Sequence, residues 1–242
     1  MEPQEIQTLE VNLRQVRTRI RAACHRAGRS EDEVRLVAVT KYTTAEVIEA
    51  LATLGVTDVG ESRVQDTWQK QESLGRTRVR WHLIGHLQRN KAARALELYD
   101  LIHSLDSRRL AEELESKATA PVDALLQVNV SGESSKGGFR PEELDALLAE
   151  ASSWSRLRIR GLMTMAPHLE NPSTTDSVRP IFRDLRELRD DANRRSRYRD
   201  QLVHLSMGMT QDFETAIEEG ATWVRVGSAL LDGLETTPQK TN

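Results

Sequence analysis

The sequence predicts an α/β chain folded as a single (β/α)8 TIM-like barrel with an extra helix ahead of the first strand. Eight short apolar or β-branched runs recur along 242 residues, separated by segments with helical periodicity. Strands one and five are nearly continuous in apolar or β-branched residues, the pattern of parallel strands covered on both faces. The length also suits one barrel, typically about 250 residues.

From Gln4 to Gly28, the positions Ile6, Leu9, Leu13, Val16 and Ile20 recur at steps of three and four and draw one helical stripe, with Gly28 as its stop. Such a lone stripe predicts packing within the chain. Strand one is Leu36–Thr40 and delivers Lys41 where the backbone turns. Thr43 or Thr44 then caps a helix through Leu54, with Val47, Ile48 and Leu51 inward and Gly55 closing it. Strand two, Asp58–Gly60, leads through the polar stretch Glu61–Asp66 into the next helix. Strand three spans Val79–Gly85, and His86–Lys91 opens a helix carrying Ala92, Ala95 and Leu96. Strand four is Leu101–Ser104, followed by a helix that starts at Asp106-Ser107 and buries Leu110 and Leu114. Pro121 announces strand five, Asp123–Val130; a Gly/Ser-rich loop runs to Phe139, and Pro141-Glu142-Glu143 suits a helical first turn. Strands six, seven and eight are Leu157–Met163, Gln201–Leu205 and Trp223–Val226. One domain over residues 1–234 is expected, with 235–242 as a disordered tail.

Composition narrows the function. A net charge of −3 and a pI of 6.1 give no field for nucleic acid or an anionic membrane surface. Arg183, Arg186, Arg189, Arg194, Arg195, Arg197 and Arg199 are interleaved with Asp184, Glu187, Asp190 and Asp191, which reads as a solvated helix face with i,i+4 pairs. The lone cysteine, Cys24, makes neither an internal disulfide nor a metal cage and fits a reducing cytosol. Met1–Glu5 lacks the basic and apolar pattern of a secretory signal, and no apolar run approaches the roughly 18 residues of a membrane span. A cytoplasmic protein is the expectation.

The chemistry points to the carboxyl ends of the strands, where barrels gather ligands. An amine at Lys41, held out of water, can condense with an aldehyde as a Schiff base; a lysine that ends a strand can equally snorkel into solvent. After strand seven comes Ser206-Met207-Gly208-Met209, and after strand eight Arg225-Val226-Gly227-Ser228. Barrels hold phosphates in these two loops: Gly208 and Gly227 allow close backbone approach, Ser206 and Ser228 supply hydroxyls, and Ala229-Leu230-Leu231 can begin the short helix. Strand one neighbours strand eight in a closed barrel, so a small ligand with both an aldehyde and a phosphate satisfies both features. Pyridoxal 5′-phosphate is such a molecule. Arg225 meets either its phosphate or its ring nitrogen. His82 and His86 stand four apart on a strand entering a loop, which fixes no shared face for a metal. The methionines Met163, Met165, Met207 and Met209 read as barrel filling or a soft cofactor wall.

The residues also carry a resemblance. Val39-Thr40-Lys41, Gly60-Glu61, Trp81–Gln88 with Asn90-Lys91, Val128-Asn129-Val130 running to Lys136–Phe139, Gly161-Leu162-Met163, Ser206–Met209 with Asp212 and Glu214, and Val224–Gly227 are similar to the pyridoxal phosphate homeostasis proteins over nearly the whole chain. The resemblance implies a barrel related to the N-terminal domain of alanine racemase, the cofactor on Lys41, and phosphate contacts at Ser206, Arg225, Gly227 and Ser228. Met207, Gly208, Ser62 and His82 complete the expected cofactor contacts; no catalytic or metal-ligating residue is expected. Two departures stand out: Gly60-Glu61-Ser62 replaces Gly-Glu-Asn, which puts a ring contact from position 62 in doubt, and Arg89 replaces a serine. The function implied is a cofactor carrier or buffer, without established catalysis, acting as a monomer and handing pyridoxal phosphate to dependent apoenzymes. The alternatives are a racemase-like enzyme, which needs an acid or base opposite the lysine, and a sugar-phosphate enzyme using Lys41 as amine.

Overall fold

The computed structural model describes residues 1–75, 79–133, 137–167 and 177–234; the expected tail, 235–242, and Lys136 lie outside the described residues. Eight strands close into a barrel in sequence order, all pairs parallel: β1 (Arg35–Val39), β2 (Asp58–Glu61), β3 (Arg80–Leu83), β4 (Leu101–Leu105), β5 (Val122–Gln127), β6 (Leu157–Met163), β7 (His204–Ser206) and β8 (Trp223–Val226). Closure through β1 and β8, paired from Arg35↔Trp223 to Ala38↔Val226, leaves no open sheet edge.

Between strands lie α2 (Ala45–Thr53), α3 (Val64–Leu74), α4 (Ala92–Leu98), α5 (Arg108–Lys117), α6 (Leu144–Ala151), α7 (Arg179–Arg194), α8 (Phe213–Glu218) and α9 (Ser228–Leu231), preceded by α1 (Pro3–Arg26). The predicted boundaries shift for local reasons. His86–Gln88 is not helical; a single 3-10 turn, Arg89–Lys91, leads into α4. The predicted strand Asp123–Val130 stops at Gln127, because Asn129 turns the chain on itself: its N–H reaches Phe139 O at 2.9 Å and its side-chain oxygen accepts from Gly132 N–H at 3.1 Å. Strand seven begins at His204 rather than Gln201, and α8 follows the turn after it.

Helix α1 has a structural task that follows from α9 being one turn long. With so short a final helix, the outer ring would leave β8 and β1 uncovered, and α1 packs against α8 and α9 to fill the gap. Its stripe Leu9, Leu13, Val16 and Ile20 is buried as expected, while Ile6 is exposed. Asn12 donates to Leu230 O at 3.1 Å and Asp232 O at 2.8 Å, satisfying carbonyls at the end of α9. Arg19 pairs with Glu214 and Arg26 with Glu218 on α8.

Strand alternation divides the side chains into two sets. Outward residues form the large core against the helices; inside, Val37, Leu101, Leu125, Met163 and Trp223 form a small apolar plug. Bulges between Ile102 and Leu105 and between Ala124 and Leu125 shift the inward set partway along β4 to β6. Among the described residues no helix is long and apolar enough to cross a membrane.

Candidate functional site

The carboxyl ends of the strands form one mouth, and Lys41 stands on its rim. Val37 faces the interior, so two-residue alternation carries Val39 and then Lys41 toward the same side. Lys41 is exposed, its Nζ 4.9 Å from the centroid of the Tyr42 ring. Of the two readings the sequence left open, the structure favours the lysine that reaches solvent: the chain leaves β1 at Val39, so Lys41 projects past the packed layer. Behind it the backbone is anchored. Thr40 Oγ1 donates to Glu61 Oε1 at 2.6 Å, and Lys70 Nζ donates to the same oxygen and to Thr40 O, each at 2.7 Å. Burial pushes the Glu61 carboxyl up, while the Lys70 ammonium and the hydrogen bonds from Lys70 and Thr40 oppose it. Glu61 Oε2 is buried without a partner among the described residues.

Beside β1 lies the predicted anion cradle. Gly208 has φ +91°, and a Cβ there would lie 2.6 Å from Ala216 Cβ and 2.8 Å from Phe213 Cα, so only glycine fits between β7 and α8. Asp212 fixes the turn by accepting Met209 N–H at 2.5 Å, and Arg225 N–H ties β8 to Gly208 O at 3.0 Å. Burial pushes the Asp212 carboxyl up, opposed by the Met209 hydrogen bond and then by the Arg225 charge. A Cβ on Gly227 would lie 3.2 Å from Val39 Cβ, which measures how closely the β8 turn abuts the lysine-bearing strand. The backbone N–H groups of Gly208, Ser228 and Ala229 donate to no acceptor among the described residues. Free amides at a helix start beside a glycine turn suit an anion.

The floor beneath is polar and dry. Arg225 is 3 % exposed; Nη1 donates to Ser206 Oγ at 2.6 Å and Nη2 to Thr164 O at 2.9 Å. Burial pushes its guanidinium down to about 10, with Asp212 opposing, so it stays a cation at neutral pH. Ser206 Oγ lies 2.7 Å from His103 Nδ1, His103 Nε2 lies 2.9 Å from His82 Nδ1, and His82 Nε2 lies 2.8 Å from Asp58 Oδ1. Arg80 and Thr57 also donate to Asp58. Burial raises the Asp58 carboxyl, but the bonds from His82, Thr57 and Arg80 outweigh it and hold it at about 2.

The predicted residues therefore fall into three groups. Lys41, Gly208, Gly227 and Ser228 share the rim, with Ser62 half-buried at the end of β2 and pressed by Gly85. Ser206 and Arg225 lie below it, bonded to each other. Met207 and His82 fall away from the mouth. The Met207 side chain is fully buried in the outer core, and its N–H is spent on Trp223 O. Both ring nitrogens of His82 are spent on Asp58 and His103, which leaves none for a cofactor; inward alternation buried the ring deep in the barrel. His86 stands exposed, paired with Asp106 at 2.7 Å, so it shares no site with His82. Missed were His103, Asp58, Thr164 and Lys70, while Glu61 and Asp212 were read as motif residues without a role. The available signal was a histidine inside the apolar run Leu101–Leu105, a polar side chain where a strand is covered on both faces.

A closed parallel barrel with a lysine leaving its first strand beside a glycine-built anion cradle after its last two defines a class of protein, and residues 11–234 match the family model described as the alanine racemase N-terminal domain. The chain is 45% identical over 222 residues to the pyridoxal phosphate homeostasis protein of Aquifex aeolicus, covering 90% of this chain and 95% of the relative. It is 39% identical over 227 residues to the protein of that name in Pseudomonas aeruginosa, covering 93% and 95%. Within the class, the chain belongs to the pyridoxal phosphate homeostasis protein family. Among solved structures, PipY of Synechococcus elongatus with PLP bound superposes with a TM-score of 0.79 at 34% identity, over 92% of this chain and 99% of that one. The alanine racemase of Corynebacterium glutamicum, at 16% identity and a TM-score of 0.67 over 95% of this chain and 63% of that one, shares the fold.

Proposed function

We propose that this protein binds pyridoxal 5′-phosphate at the mouth of its barrel, with Lys41 as the amine that captures the aldehyde, and that it holds and hands on the cofactor without catalysing a reaction of its own. The observation that carries this is adjacency: β1 and β8 pair along their length, so the amine of one and the cradle of the other share a rim. The cofactor supplies an aldehyde, which an amine takes up with loss of water. The chain's own residues do the rest. Gly208, Ser228 and Ala229 offer backbone N–H groups to the phosphate. Arg225, one inward step below Gly227, faces the ring nitrogen with an N–H that the bonds to Ser206 and Thr164 leave over. A permanent cation donating there keeps the ring nitrogen unprotonated and makes the ring a weak electron sink, which suits storage better than carbanion chemistry. The exposure of Lys41 suits hand-over, because an incoming amine can reach the attachment point from solvent.

The tyrosines argue the same way. Tyr99 is buried against Thr67, and the Tyr198 hydroxyl accepts Ile159 N–H at 3.0 Å. Tyr42 adjoins Lys41 on the same strand end, so no tyrosine stands opposite the lysine as a racemase requires. The relatives' names and the PLP-bound PipY add their support. The reading extends to one domain over residues 1–234, a cytoplasmic monomer, and PLP-dependent apoenzymes as recipients.

The test is a visible absorbance spectrum of the protein with added pyridoxal phosphate, before and after borohydride. Wild type should show a lysine-linked band that borohydride fixes to the chain, and Lys41→Ala should show none. A mutant that kept the band would overturn the assignment, and conversion of L-alanine to its enantiomer by the loaded protein would replace storage with racemisation.

A further inference from the structure

Inside the barrel, Asp58, His82, His103, Ser206 and Arg225 form one unbroken hydrogen-bonded chain from the amino-end face to the floor of the mouth. From this chain we infer that the Ser206 hydroxyl points its proton at His103, away from the mouth, so that Ser206 serves Arg225 rather than the phosphate, and that His103 is the residue that positions it. The inference rests on the pyridoxal phosphate reading for its ligand, and on the chain alone for its geometry.

The two ends are fixed by chemistry. Arg225 can only donate, so Ser206 Oγ accepts from it. Asp58, an ionised carboxylate, can only accept, so His82 Nε2 carries a proton. Three proton arrangements connect these ends, and one of them, an imidazolium at His103 donating to both neighbours, is set aside by the full burial of that ring near the Arg225 cation. With His82 neutral, its Nδ1 is bare and accepts from His103 Nε2–H; His103 Nδ1 is then bare and accepts the Ser206 proton. With His82 doubly protonated every bond reverses, His103 donates to Ser206, and the serine proton is released toward the mouth.

The surroundings select the first arrangement. His82 is 1 % exposed and its ring packs at a tilt against the Trp223 ring, centroids 4.9 Å apart, and the Arg35 and Arg80 guanidinium groups lie over the same Trp223 ring. Arg80 already neutralises Asp58, and Arg225 adds a cation at the far end. Asp123, the acid whose charge acts on the half-buried His204, is paired with Arg158. β6 adds Met163 to the interior, and the Glu61 acid on β2 lies outside it with Lys70. A further positive charge at His82 would have no unspent anion. Burial, with the Arg225 cation adding in the same direction, holds the His103 ring well below the ordinary histidine range. A neutral pair of imidazoles, each protonated at Nε2, follows.

The consequence is a division of labour. Ser206, fully buried, has spent its proton on His103 and a lone pair on Arg225, so the phosphate falls to the rim amides while Ser206 and His103 hold the Arg225 head toward the ring. This departs from the phosphate contact that the sequence motif suggests for Ser206.

The first test needs no ligand: long-range ¹H–¹⁵N NMR of the full chain at neutral pH. The expected result is a single Nε2 proton on both His82 and His103; a protonated Nδ1 on His103, or an imidazolium at His82, overturns the inference. The second test compares pyridoxal 5′-phosphate with pyridoxal, which lacks the phosphate. Ser206→Ala and His103→Phe should weaken both ligands by a similar factor, about tenfold, leaving their ratio as in wild type. His103→Asn, whose amide oxygen stands near the place of Nδ1, should recover much of that loss. Selective loss of the phosphorylated ligand in Ser206→Ala overturns the inference. If wild type binds neither ligand, the cofactor reading fails while the NMR result still decides the chain.

Discussion

Lys70 donates its ammonium to the carbonyl of Thr40 at 2.7 Å, and so clamps, from α3, the peptide that leads into Lys41. The same ammonium neutralises Glu61, whose second oxygen has no partner among the described residues. Lys70→Met should therefore leave a buried, unpaired carboxylate and cost about 3–5 kcal/mol in urea unfolding. Adding Glu61→Gln should recover more than half of it. A single mutant of wild-type stability would show that the pair carries no charge.

Gly208→Ala should lose at least about 3 kcal/mol, from backbone strain at φ +91° and overlap with Ala216 and Phe213 together. The turn cannot relax without breaking the bond from Arg225 N–H to Gly208 O. A lowered melting temperature with loss of inorganic phosphate binding is the expected pair of results.

Acid should unfold the protein in two stages. Burial, then the charges of Arg160 and Arg35, push His204 from 6.5 down to about 4. Between those values the unfolded chain holds a proton that the folded one does not, so stability is full above about pH 6.5 and falls as the pH drops toward 4. The loss, discounted for partial exposure, is on the order of 1–2 kcal/mol, and His103 adds in the same direction. Asp58 then takes over: its folded value near 2 lies below the ordinary 3.8, and its contribution disappears as the pH falls through that window. Urea midpoints from pH 7 to pH 4 should slope downward, and His204→Gln should flatten the slope.

Glu115, near the end of α5, accepts the N–H groups of Ser155 and Leu157 at 2.7 Å and of Arg156 at 3.0 Å, pinning the start of β6. Burial raises its carboxyl, but these backbone bonds outweigh burial and hold it below the usual range. Glu115→Ala should cost about 2 kcal/mol and speed hydrogen exchange at Leu157 before it affects β1.

Much of the barrel was legible because each strand is a local event. Leu157–Met163 and Trp223–Val226 matched to the residue, since their apolar positions carry the strand signal even with Arg158, Arg160 and Arg225 among them. Gln201–Leu205 was less legible: its polar start and the inward His204 and Ser206 gave no clean pattern, and pairing to β6 and β8 decided where β7 begins. The rim residues could be read from glycine and strand-end position, because a turn that approaches another backbone closely admits little else.

The sequence by itself determined the eight-strand rhythm, the lysine at the end of the first strand and the two glycine turns near the C-terminus, because these depend on side-chain type and short spacing. Only the tertiary structure decided that His103 meets Ser206, 103 residues away, and that His82 faces Asp58 instead of the mouth. Alternation tells which side chains of one strand share a face; it does not give the stagger between strands, and the bulges in β4 to β6 shift the inward set. Inside a closed barrel, level along the axis and not distance along the chain selects which polar groups become partners.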